Sequence, residues 1–77
     1  MSDKLIELFA DELGVDTSEL SDASSPETVE RWDSLAAMRL VAAMESEFNV
    51  SLSGKEVMKM RSIGIAREVL LSKGVTF

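Results

Sequence analysis

Neither cysteine nor histidine occurs in the 77 residues of this chain. That double absence restricts the possible folds more than any motif does. Small domains bury a modest share of their surface and often add disulfides or a bound metal for stability. Disulfides are excluded here, and so are the Cys/His zinc frameworks. One apolar core must hold the chain, and a hydrophobic content of 45% is enough for one core and not for two. We therefore expect a single domain over residues 1–77. Thiolate nucleophiles and imidazole acid–base steps are also excluded. The chain is expected to be no enzyme, with no catalytic residue and no metal-ligand set of its own.

The apolar residues recur with a helical period, and no segment alternates over the length of a strand. Ser2 or Asp3 can cap a first helix ending at Gly14, with Leu5, Leu8, Phe9 and Leu13 on one face. Residues 15–33 lack a period and carry Ser24-Ser25-Pro26. They read as a long ordered loop pinned by Val15, Leu20, Val29 and Trp32, with one helical turn starting at Pro26 and capped by Ser25. So long a loop in so small a domain points to function. The strongest helix runs from Ser34 to about Asn49, capped by Asp33 and free of Gly and Pro. Ser53-Gly54-Lys55-Glu56 fits a capping box for a short helix to about Met60. Ser62 can cap a last helix to Ser72, with Ile63, Ala66 and Leu70 inward and Gly74 as stop. The predicted fold is all-α: a four-helix bundle of three longer helices and one short one, with a long ordered loop between helices 1 and 2.

Charge restricts the partners. The formal net charge is -6, and phosphate-backbone binding needs clustered Lys and Arg, so nucleic acid is not expected as a ligand. The charge is polarised: residues 1–35 hold ten acids against Lys4 and Arg31, while residues 36–77 hold four acids against six bases. Partners should meet a negative first half and a mildly basic second half. No apolar run is long enough to enter a membrane, and residues 1–15 lack a basic leader ahead of a greasy stretch. We expect a cytoplasmic monomer.

Residues 34–49 carry two apolar faces. At about 100° per residue, with Met44 at zero, Ala37, Leu40, Val41 and Phe48 fall within roughly 60° and form a core stripe. Leu35, Met38 and Ala42 fall between about 120° and 180°, bordered by Arg39 and Glu45. Three other helices, one of them short, can hardly enclose both sides. The second stripe is expected to be an exposed surface for partners.

Ser34 opens this helix. The first backbone N–H groups of a helix lack intrahelical partners and the dipole favours an anion, so a phosphate ester on Ser34 would find a suitable environment. Ser34 cannot act as a hydrolase nucleophile, because no His and no Gly-x-Ser-x-Gly elbow accompany it. Another enzyme could still modify it.

Asp33-Ser34-Leu35 after a long loop, followed by a helix ending Glu45-Ser46-Glu47-Phe48-Asn49-Val50, resembles an acyl carrier protein. Ser62-Ile63-Gly64 at the start of the last helix is similar to that family's Thr-Val-Gly. Length, acidity and helix order agree over nearly the whole chain. The resemblance implies that a phosphopantetheinyl transferase attaches 4′-phosphopantetheine from coenzyme A to Ser34, and that the thiol of the arm holds acyl groups as thioesters. A chain without Cys or His then makes sense, since the cofactor brings the nucleophile. By the same resemblance, Asp33 would help hold the modifying enzyme's metal or orient the loop. Leu35, Met38, Arg39 and Ala42 would meet acyl-loading and acyl-transfer enzymes, and core residues would line a cleft able to shelter an acyl chain.

Two features depart from the housekeeping fatty-acid carriers, which resemble Gly-Ala-Asp-Ser-Leu-Asp. Ala36 and Arg39 stand at positions that are commonly acidic, and Lys55, Lys59 and Arg61 populate the short-helix region. Enzymes that read an acidic second helix should bind this chain poorly. Trp32 makes the motif Trp-Asp-Ser-Leu, which resembles stand-alone carriers for lipopolysaccharide, cell-surface saccharide or secondary-metabolite assembly. In this chain Trp32 is read first as a loop anchor packed on the bundle. An aminoacyl or peptidyl carrier, and a non-catalytic helical interaction module, are the competing functions. The acidic first half and the Glu-Ser-Glu-Phe end favour an acyl carrier.

Overall fold

The computed structural model describes residues 3–77 and contains four α-helices: α1 (Lys4–Leu13), α2 (Ser34–Phe48), α3 (Gly54–Lys59) and α4 (Ile63–Ser72). No strand occurs among the described residues. α1 packs against both α2 and α4, and α3 lies against α4. The expected all-α bundle of three longer helices and one short helix is what forms.

Local chemistry sets the helix ends. The Asp3 carboxylate accepts the Leu5 and Ile6 N–H groups, so Asp3 caps α1, and Ser2 lies outside the described residues. Gly14 ends α1 in the left-handed region with φ 69°. Asn49 ends α2 the same way at φ 53°, a conformation that Asn tolerates better than most residues. The expected capping box at α3 is complete: Ser53 Oγ accepts the Glu56 N–H and the Glu56 carboxylate accepts the Ser53 N–H.

The core is built from Leu5, Phe9 and Leu13 of α1, Leu40 and Met44 of α2, and Ile63, Ala66 and Leu70 of α4. Trp32 joins it from the loop, only 5% exposed and edge-on to Phe9 at 5.1 Å between ring centroids. Such a pair adds about 0.5–1.5 kcal/mol beyond its buried area. Val15, Leu20 and Val29 also pack on the core, half-buried, so all four expected anchors hold the loop.

One expectation about α2 needs correction. Ala36 is fully buried, whereas Ala37, Val41 and Phe48 are only half-buried. The inward face is the row Ala36–Leu40–Met44, turned by roughly 60° from the expected stripe. α1 takes that row, and the Ala37–Val41 side is left to the small α3 segment. Ala36 therefore presents nothing to a partner.

The loop is tied to α4 by its backbone. Its peptides satisfy helix donors that would otherwise lack partners: the Ser24 carbonyl accepts the Ile63 N–H at 3.1 Å and the Asp22 carbonyl accepts the Gly64 N–H at 2.9 Å. Ser62 Oγ accepts the Ile65 N–H, which completes the cap. A Cβ at Gly64 would lie 3.0 Å from the Asp22 carbonyl oxygen, so the close approach requires glycine. Buried Ser24 accepts the Ser21 N–H through its hydroxyl at 2.9 Å. Arg67 of α4 binds Asp3 at 2.6 Å and Asp22 at 2.8 Å, and its guanidinium lies over the Phe77 ring at 5.3 Å.

The short turn at Ser25–Val29 has helical hydrogen bonds to the Ser25 carbonyl without becoming a full helix. A second turn, the 3-10 segment Thr17–Glu19, was not expected. Its signal was present in the sequence: Asp16 and Glu19 form an Asp-x-x-Glu capping box.

Candidate functional site

Ser34 is the first residue of α2 and is exposed. The Asp33 carboxylate accepts the Ala36 N–H at 2.8 Å, and the Asp33 carbonyl accepts the Ala37 N–H at 2.9 Å. The N–H groups of Ser34 and Leu35, and the Ser34 hydroxyl, have no protein hydrogen-bond partner among the described residues. A phosphodiester on this oxygen would meet free donors at the positive end of the α2 dipole, so the local chemistry fits that group. Asp33 works here as the helix cap that fixes the turn, with its Oδ1 on Ala36. Trp32, directly before it, is the anchor that sets where the turn lies.

The outer face of α2 is as exposed as its spacing implied. Leu35 is 64% and Met38 70% exposed, and Ala42 and Arg39 are also exposed. Arg39 borders a depression shared with Asp11, Glu12, Arg31 and Asp33. Arg39 itself forms no ion pair among the described residues.

On the α2 wheel Ser34 projects about 20° from Val41 and about 60° from Ala37. Those two residues line a cleft closed on the other side by Val57 and Met60, with Phe9 and Trp32 behind it. The sequence pattern did not single out Val57 and Met60, although their i, i+3 spacing puts both on one side of the α3 segment. The cleft has a volume of about 30 Å³. That is room for about two water molecules. A cleft for an acyl chain was expected; in this conformation the lining residues are assembled but the space is too small for one. A wider concavity, about 840 Å³, is an open groove lined by Glu7, Asp11, Glu12, Asp16 and Glu47 together with Leu8, Ala10, Val15 and Ala43. It lies on the opposite side of α2 from Ser34. No helix among the described residues is long and apolar enough to cross a membrane.

The family described as "phosphopantetheine attachment site" matches residues 3–64, a span that runs from the α1 cap to the second residue of α4. The chain is also 34% identical over 62 residues to an acyl carrier protein of Clostridium acetobutylicum, with 80% of each chain covered. This chain belongs to the acyl carrier protein family. Its cofactor is covalently attached 4′-phosphopantetheine; members of the family are carriers rather than catalysts, and the carrier role implies interaction with modifying and acyl-handling enzymes.

The residues that carry the resemblance have physical roles in this carrier. Glu45 accepts the Leu52 N–H through Oε2 at 2.9 Å and so closes the link from α2 to α3. Phe48 stacks edge-on against Phe77 at 5.4 Å between centroids. Gly64 admits the Asp22 carbonyl to the start of α4.

Proposed function

We propose that Ser34 is the attachment residue and that the carrier serves a specialised assembly pathway (lipopolysaccharide, cell-surface saccharide or secondary metabolite) in the cytoplasm. The exposed Ser34 hydroxyl, free of protein partners at the start of α2, carries the attachment reading. The bound arm supplies a thiol that holds acyl groups as thioesters. This chain's residues do the rest. Asp33 fixes the first turn through its cap and leaves Oδ2 available to the modifying enzyme's metal. Leu35, Met38 and Ala42 give partner enzymes an apolar strip, and Arg39 sits at its edge.

The specialised reading is supported by Trp32-Asp33-Ser34-Leu35 and by the basic residues Arg39, Lys55 and Lys59. Housekeeping elongation enzymes that read acids there should turn this carrier over slowly. Ser34→Ala tests attachment. With coenzyme A, Mg²⁺ and a broad-specificity transferase, the wild type should gain one phosphopantetheine by intact mass and the variant none. The fold should survive, because Asp33 still caps the helix and Ala is a good helix former. A phosphopantetheine on the Ala variant would remove Ser34 from the role. Pathway choice is tested by turnover of identically loaded wild type and Arg39→Glu by a housekeeping ketosynthase. The reversal should raise turnover, more so at low salt.

A further inference from the structure

α3 is a regular helix in which no residue is buried. Its two sides differ. Val57, with Met60 just beyond the helix, faces the cleft beside α2. Lys55, Met58 and Lys59, spaced i, i+3 and i+4, share the outward face, and all three are exposed. Met58 is 78% exposed, more than any other large hydrophobic residue described. Arg61, also exposed, follows within one turn's length.

The charge on this face is not cancelled locally. Glu56, the acid within α3, is already engaged: it accepts the Ser53 N–H at 2.8 Å and Lys73 Nζ at 2.9 Å. Lys55, Lys59 and Arg61 form no ion pair among the described residues. Three free cations therefore surround one exposed thioether in a chain whose net charge is -6. A single exposed methionine is ordinary on a protein surface, but here it stands at the centre of a face whose three cations have no ion-pair partner among the described residues.

We propose that the outward face of α3 docks an acidic protein surface: carboxylates around an apolar recess that receives Met58, on the enzyme that charges the arm. The proposal rests on the carrier reading above and names the chemistry of one partner. Two physical points select a protein over an extended polyanion. The apolar tip at the centre of the patch needs a recess, which a phosphate array does not offer. The surrounding acids also repel an extended anionic surface, whereas a compact carboxylate patch in contact with α3 responds to charges within about 8 Å, the Debye length at physiological salt. Met is suited to such a recess because its thioether chain is flexible and polarisable. The location is apt as well: α3 flanks the cleft beside which Ser34 projects, so a bound enzyme would sit next to the arm's attachment point.

The test uses the holo protein. Wild type, Lys55→Glu/Lys59→Glu, Lys55→Arg/Lys59→Arg and Met58→Ala are first converted with coenzyme A and a broad-specificity transferase and checked by intact mass. Each is then charged by the thioester-forming activity enriched from cells that make the protein, supplied with ATP, Mg²⁺ and those cells' small-molecule extract. The double reversal should lower kcat/KM about 10-fold or more at low salt, chiefly through KM, with the gap shrinking as salt screens it. The Arg pair should charge like wild type. Met58→Ala should lower kcat/KM by about 3–10-fold with little salt dependence, as loss of an apolar anchor does. Equal or faster charging of the double reversal overturns the proposal while leaving the carrier reading intact. A wild type that takes up no arm overturns both. Wild-type binding to phosphatidylglycerol vesicles that the double reversal abolishes would assign the patch to a membrane and overturn the protein-docking assignment.

Discussion

The two long connections of this carrier solve opposite problems. Residues 15–33, between α1 and α2, contain little regular structure: one 3-10 turn and one helical turn. Yet that connection contributes buried Trp32 and Ser24, two carbonyls that accept α4 donors, and Asp22 for Arg67. The connection between α2 and α4 contains a capped helix, α3, and buries none of its residues. Order in a chain this small follows burial and backbone satisfaction, and regular secondary structure is a poor proxy for either. The first connection behaves as part of the core, while the second is a cover over the cleft whose outer side is free for contacts.

Substitutions can break this contrast. Trp32→Ala, in the irregular connection, should cost about 3–5 kcal/mol, as large aromatic truncations in cores do. Denaturant melts would read it, and a loss near that of a surface substitution would mean the loop is not part of the core. Gly64→Ala pushes a methyl group to 3.0 Å from the Asp22 carbonyl. The strain should destabilise by about 1–3 kcal/mol, the usual range for overpacking. Amide exchange should show it at the two bonds from Ile63 and Gly64 to the loop. Val57→Ala, in the regular helix of the second connection, removes two half-buried methyl groups and should cost less than about 1.5 kcal/mol. A melt as damaged as that of Trp32→Ala would show α3 to be core after all.

The smallest effect concerns acid. Hydrogen bonding to Arg67 holds the Asp3 carboxyl below its ordinary value, with burial opposing. A carboxylate whose pKa is lowered by folding stabilises the fold above its unfolded pKa and loses that contribution as pH falls through the folded value. Stability should therefore drop as pH falls below about 4, the ordinary Asp range. Arg67→Gln should flatten that drop while lowering stability near neutrality, as pH-dependent denaturant titrations would show. Equal slopes for the two proteins would mean that Asp3 titrates independently of Arg67.

Sequence reading and tertiary structure divide along the same line. The helices were legible because their ends carry local chemistry: Asp3, Asp33, Ser53 and Ser62 cap, and Gly14 and Asn49 terminate. The inward residues of α4 were legible from their period alone. The candidate site was legible in Asp33-Ser34-Leu35, and the outer strip of Leu35, Met38 and Ala42 followed from the wheel. The orientation of α2 was not. A 3.6-residue period defines a broad apolar arc, and Ala36 and Ala37 differ by only about 100° within it. Which of them is buried depends on where α1 sits.

By itself the sequence determined the fold class, the helix boundaries, the exposed serine at the start of α2 and the uneven charge. Each depends on residues within a few positions of one another, where capping and periodicity act. Tertiary structure alone decided that Ala36 is core, that Arg39 shares its surroundings with Asp11 and Glu12, that Val57 and Met60 close the cleft, and that Gly64 meets Asp22. These pairings join residues far apart in the chain. They arise only when the helices settle against one another and the loop carbonyls find the donors at the start of α4.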